Sequence, residues 1–146
     1  MNLSVAFKGK GNSSYRLVSA LNGDKYFSTN SYCGLCKDID ALHQHYDTVY
    51  MFGLDKERKG NIRIERCAMQ NNMIVMSQLD IESLSTALNE NGLSAFIGTH
   101  PHRSLCNDAY WHMLKKFNGR VVFFHIPSVK YITDSFITNI EKALYR

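Results

Sequence analysis

Apolar positions along the chain fall into two alternating patterns. Short runs, apolar throughout or at every second position, are separated by stretches in which apolar residues recur every three or four positions. The run 3–7 reads as a strand and is broken by Gly9 and Gly11. Asn12, Ser13 and Ser14 then offer helix caps ahead of Leu17, Val18 and Leu21, and Asn22-Gly23 ends that helix. Residues 26–32 read as a second strand, followed after Gly34 by a short helix carrying Ile39 and Leu42. The compact run 49–53 is a third strand, ending in glycine.

From 54 to 72 the pattern is least regular, polar up to Ile62 and then alternating through Ile64, Cys67 and Met69. A further apolar run occupies 73–76. Ser77 with Asp80 three residues on has capping-box spacing, and Ile81, Leu84 and Leu88 make a helical stripe closed by Asn91-Gly92. Residues 93–97 read as a strand and 98–104 as a loop. Leu105, Ala109 and Met113, with Tyr110, Leu114 and Phe117 beside them, have helix spacing. The nearly continuous run 121–126 suits a strand buried on both faces, and Phe136, Ile140 and Leu144 predict a closing amphipathic helix. Strand–helix alternation of this kind predicts an α/β fold of three α/β/α layers, an open, twisted, mostly parallel sheet with helices on both sides. No internal repeat or interdomain linker interrupts 1–146, so a single domain is expected. Sheets of this type bind ligands at the carboxyl ends of their strands, which directs attention to the residues following Phe7, Gly53, Ile97 and the 121–126 run.

Composition narrows the function classes. Of 146 residues 45% are apolar and 21% charged, an ordinary globular balance. No apolar run approaches a membrane span, and residues 1–10 lack a secretory pattern, so a cytoplasmic protein is expected. The net charge of +4 comes from scattered basic residues without a stripe or motif, so nucleic acid is not an expected partner. Four cysteines (Cys33, Cys36, Cys67 and Cys106) are too few for a disulfide framework. Each is therefore a small buried hydrophobe, a ligand or a nucleophile.

Cys106 falls where a loop gives way to a helix, and peptide N–H groups at a helix start favour a thiolate and can hold an oxyanion. His125 lies near the carboxyl end of its strand, one helix and one strand later, and can return to the same sheet edge. Glu65, inside the apolar-leaning segment 64–68, could orient the imidazole, completing a Cys–His–acid set. Asp108, two residues beyond Cys106, would oppose thiolate formation if it lay close. Each residue also has a plain structural reading: a helical cysteine in the core, a satisfied core histidine, and a surface glutamate beside Arg66.

Leu105-Cys106-Asn107, followed after one helix by Phe123-Phe124-His125-Ile126-Pro127, resembles the nucleophile and histidine segments of the pyroglutamyl peptidases, the pyrrolidone-carboxylate cysteine peptidases. Ile64-Glu65-Arg66-Cys67-Ala68-Met69-Gln70 is similar to the family's P-E-R-V-A-I-N segment, and the stretch from Gly53 to Arg58 is loosely similar to G-Q-A-G-G-R. The strand ending in Phe7, the glycine-bearing loop and Asn12-Ser13-Ser14 are similar too, so the likeness runs in order through nearly the whole chain. It implies a phosphorylase/hydrolase-like fold, with Cys106 as nucleophile, His125 as general base and Glu65 orienting it. Phe7, Leu54 and Arg58 would stand at substrate-binding positions. The implied substrate is a peptide or small amide, with no cofactor, and the likeness leaves room for a homo-oligomer.

The departures concern the pocket. The family's F-D-P-F-G-G loop is Phe7-Lys8-Gly9-Lys10-Gly11 here, with lysines where a second aromatic would stand, solvated or facing an anionic substrate. Leu54 replaces a glutamine, Val75 an arginine, and a long segment after Val75 is largely missing. The reading is thus a shortened, divergent cysteine hydrolase removing an N-terminal pyroglutamyl or related acyl or amide group. The alternative is a non-catalytic binding or assembly module that keeps the fold. A third reading takes Cys33-Gly34-Leu35-Cys36 as a redox pair at a strand-to-helix junction. No metal is expected: His43 with His45, and His100 with His102, are each two apart, and Cys33, Cys36 and His43 lack an evident fourth ligand. His112 should face away from Cys106, with Trp111 beside it partly exposed.

Overall fold

The computed structural model describes all residues except Gln44, His102, Arg103 and Arg146; of Tyr32 it describes the backbone. His102, one of the histidines weighed above as a ligand, therefore lies outside the described residues. The elements run β1 (Asn2–Phe7), α1 (Ser13–Ala20), β2 (Asp24–Ser28), α2 (Tyr32–Asp40), β3 (Thr48–Leu54), β4 (Ile62–Glu65), β5 (Cys67–Gln70), β6 (Met73–Met76), α3 (Ile81–Glu90), β7 (Ala95–Ile97), α4 (Leu105–Lys116), β8 (Val121–Ile126) and α5 (Asp134–Leu144). A six-stranded sheet has the order β2-β1-β3-β8-β4-β7, and β5 and β6 form a separate antiparallel ribbon. The first four strands are parallel, and β4 enters antiparallel to β8 and parallel to β7.

Period-two alternation divides the sheet's side chains between two cores. Tyr50, Phe52, Val122, Phe124, Ile126, Ile62 and Ile64 face one layer, filled by α1, α3 and α5 through Leu17, Val18, Leu88, Phe136 and Ile140. Leu3, Val5, Phe7, Val49, Met51, Val121 and Phe123 face the other, filled by α2, α4 and Ala68 of the ribbon through Leu35, Ile39, Ala109, Tyr110 and Leu114. All six residues of β8 are buried, as expected of a central strand covered on both sides.

The helices begin where polar side chains accept their orphan N–H groups. Asn12, Ser31, Asp80, Ser104 and Thr133 are the N-caps, accepting from Ser14, Gly34, Ser83, Asn107 and Phe136. Ser77 does not form the predicted box with Asp80. Its hydroxyl donates to the Val121 carbonyl at 2.6 Å and accepts from Leu79 N, because it is needed to tie the end of the ribbon to β8. The strand expected over 26–32 ends at Ser28, since Ser31 opens α2. Trp111, expected to be partly exposed, is buried, with Lys115 Nζ 5.7 Å from its ring centre. Among the described residues no helix is long and apolar enough to cross a membrane.

Candidate active site

Three strands bring the charged groups together. Gly53 on β3 is the register partner of His125 on β8, and His125 in turn faces Arg63 on β4. Arg63 and Glu65 lie two apart on β4, so both side chains project to the face that carries Phe123 and His125. Glu65 Oε1 stands 3.2 Å from His125 Nε2 and 2.8 Å from Arg63 Nε, and the Glu65 and His125 side chains are almost wholly buried. One carboxylate oxygen thus serves both a guanidinium and an imidazole. Tyr110 of α4 donates from its hydroxyl to the Glu65 carbonyl at 2.8 Å, which fixes the backbone behind that carboxylate.

Cys106 reaches the same face from α4. A Cβ built on Gly53 would lie 3.0 Å from Cys106 Sγ and 2.5 Å from Phe123 Cζ, so only a glycine lets the thiol settle over β3 beside the position of His125. The start of α4 is held in two ways. Ser104 caps it, and the Asn107 amide pairs with both backbone groups of Met69, Nδ2 donating at 2.7 Å and Oδ1 accepting at 3.0 Å. Burial pushes the Cys106 thiol up to about 11. A hydrogen bond with Ser104 works in the opposite direction, while the carboxylates of Asp55 and Glu65 add to the rise. The charges that oppose the thiolate are therefore these two rather than the Asp108 singled out from sequence.

The structure brings Cys106, His125 and Glu65 to one face of the sheet. The three positions proposed for substrate have different surroundings. Phe7 is buried in the core of that face, its ring centre 6.5 Å from that of Phe123. Leu54 follows Tyr50 and Phe52 in the alternation and so belongs to the opposite layer. Arg58 binds Asp55, Nε to Oδ2 at 3.1 Å, and lies over the Phe96 ring. Two cavities flank the site. One of about 600 Å³ is bounded by Met69, Asn72, Pro101, Ser104 and Asn107, and one of about 320 Å³ by Glu65, Cys67, Gly98 and His100.

Arg63, Asp55, Asn107 and Tyr110 were not assigned roles from sequence. Arg63 left a usable signal, a lone charge between Ile62 and Ile64 and in phase with Glu65. It also donates to the His100 carbonyl, fastening the segment that leads towards Cys106. His112 faces α2, its Nε2 3.5 Å from Cys36 Sγ. Among the described residues no group of three or more His, Cys, Asp or Glu side chains is disposed to hold a metal ion.

The fold is that of the pyrrolidone carboxyl peptidases. The structure superposes on pyrrolidone carboxyl peptidase from Thermus thermophilus with a TM-score of 0.83 at 16% identity, covering 99% of this chain and 98% of that one. It superposes on pyroglutamyl peptidase I from Bacillus amyloliquefaciens with a TM-score of 0.77 at 18% identity, covering 98% and 94%. With pyrrolidone carboxyl peptidase from Thermococcus litoralis the TM-score is 0.77 at 15% identity, covering 99% and 93%. No protein-family model and no curated protein matches the chain by sequence.

Proposed function

We propose that the chain is a cysteine hydrolase acting on the carbonyl of an N-terminal acyl or pyroglutamyl amide, with Cys106 as nucleophile, His125 as general base and Glu65 orienting the base. The observation that carries this reading is the buried Glu65–His125 contact on the face where Cys106 Sγ covers Gly53. A thiol pushed up to about 11 keeps its proton near neutral pH, so the nucleophile does not rest as a thiolate. Attack is instead concerted. With Nε2 engaged by Glu65, His125 Nδ1 takes the thiol proton as sulfur bonds to the carbonyl carbon. The Glu65 charge stabilises the imidazolium that forms, and the first backbone N–H groups of α4 face the developing oxyanion. The imidazolium then protonates the leaving amine, and water releases the acyl group from sulfur.

The shared fold of the pyrrolidone carboxyl peptidases supports a cyclic N-terminal lactam as the first substrate to try. The placement of Phe7 in the core and Leu54 in the opposite layer supports a wider set of N-acyl amides beside it. The test is release of a fluorescent amine from pyroglutamyl, acetyl and formyl amides, with mass mapping of an acyl group on Cys106. Turnover that disappears in Cys106→Ala and falls at least a hundredfold in His125→Ala is expected. Absence of both turnover and acyl-enzyme across the series would overturn the reading and leave a fold retained for binding.

A further inference from the structure

The cysteines of α2 make a second reactive cluster, on the same helical layer as Cys106 but outside the proposed triad. Cys33 and Cys36 are three residues apart in the first turns of α2, directly after the carboxyl end of the parallel strand β2. Cys33 is exposed and Cys36 is half-buried, with its Sγ 3.5 Å from His112 Nε2 of α4. In a helix, Cα atoms three residues apart are separated by about 5 Å, within the roughly 4.4–6.8 Å that a disulfide spans. The remaining closure comes from tightening the first turn towards the three-residue repeat common at helix ends.

The surroundings hold this geometry in place. A Cβ at Gly34 would collide with the hydroxyls of Thr29 and Ser31, so glycine between the cysteines lets the loop close against the helix. Thr29 donates from its N–H and its hydroxyl to Asp38 Oδ2, at 3.0 and 3.1 Å. Lys116 Nζ donates to the Ile39 and Asp40 carbonyls at 2.6 and 2.9 Å, locking the end of α2 to the helix that carries His112. An exposed sulfur at a helix start, a sheltered sulfur one turn on and an imidazole on the sheltered one are the three parts that thiol–disulfide exchange needs.

We propose that Cys33 and Cys36 are a dithiol–disulfide site for low-molecular-weight disulfides, with His112 as the base for Cys36. The Cys33 thiolate attacks one sulfur of R–S–S–R. Cys33–S–S–R forms and RS⁻ departs, taking up the proton Cys33 has lost. In the tautomer with its proton on Nδ1, His112 Nε2 takes the Cys36 proton. The Cys36 thiolate then displaces the second RS⁻ from Cys33 Sγ, and the imidazolium returns its proton to it. Two protein thiols are oxidised to one disulfide, and R–S–S–R is reduced to two RSH.

The test treats the reduced protein with oxidised glutathione and maps the products by peptide mass. The wild type is expected to lose two hydrogen atoms across the 33–36 peptide and to retain no glutathione there. Cys36→Ser keeps one glutathione on Cys33, and His112→Gln slows its release from the wild-type pair about tenfold. Retention of glutathione on Cys33 in the wild type, or no reaction at Cys33, overturns the site. Release in His112→Gln as fast as in wild type overturns the role of His112. None of these readouts depends on amide hydrolysis, so the outcome is separate from that of the proposed Cys106 chemistry.

Discussion

Around Cys106, burial and hydrogen bonding pull the thiol in opposite directions, and burial wins. Two nearby carboxylates then decide how far it stays from ionisation. Asp55 is the one open to change, because Glu65 is tied to His125 and Arg63. Asp55→Asn removes a negative charge near the sulfur and releases the Arg58 guanidinium from its ion pair, so both effects favour the thiolate. The pH at which Cys106 is half-alkylated should therefore fall below its wild-type position, by less than the burial effect. The check is iodoacetamide labelling across pH with peptide mapping. A midpoint that stays put or rises would mean that Asp55 does not reach the thiol. Glu65, His125 and Cys106 were all legible in the sequence through their segments. Arg63 was not assigned, since its role exists only where β4 lies beside β8.

Secondary-structure boundaries were legible wherever the controlling interaction is local. Asn12 caps the helix that follows it, as its sequence position suggests, because a cap and its N–H partner are at most three residues apart. Ser77 was misjudged because its partner, the Val121 carbonyl, belongs to a strand more than forty residues away. The same distance problem hides Asn107, which follows the proposed nucleophile and whose amide completes the Met69 backbone. Asn107→Ala leaves a donor and an acceptor on β5 without that partner and should cost about 1–3 kcal/mol. The fall would be read as a lower urea midpoint at unchanged slope, and an unchanged midpoint would show that water replaces the amide fully.

At the scale of the molecule, groups that folding shields from ionisation act together on the alkaline side. The Cys106 thiol is raised to about 11 from an ordinary value near 9, and burial also raises the Tyr110 and Tyr145 hydroxyls. In each case the folded chain holds a proton that the unfolded chain releases at a lower pH. The associated stability is complete below the ordinary value and is lost as pH rises through the folded one. Folding stability should therefore decline from about pH 9 upward, and Cys106→Ala should flatten the part of the decline between about 9 and 11. Denaturant unfolding at several pH values measures the slope, which separates this effect from any pH-independent cost of the substitution. A slope identical to wild type would show that Cys106 does not contribute.

By itself the sequence determined the order of strands and helices, the central place of the buried 121–126 run, the cap of the first helix and the residue types available for chemistry. Those follow from periodicity and from contacts within a few positions, which any window of the chain contains. Only the tertiary structure decided that β4 enters antiparallel between β8 and β7, putting Glu65 between Arg63 and His125. It also decided that Leu54 turns to the opposite layer, that Gly53 makes room for the thiol, and that His112 meets Cys36. Those outcomes depend on which distant strands and helices become neighbours, and that choice belongs to the packing of the whole sheet.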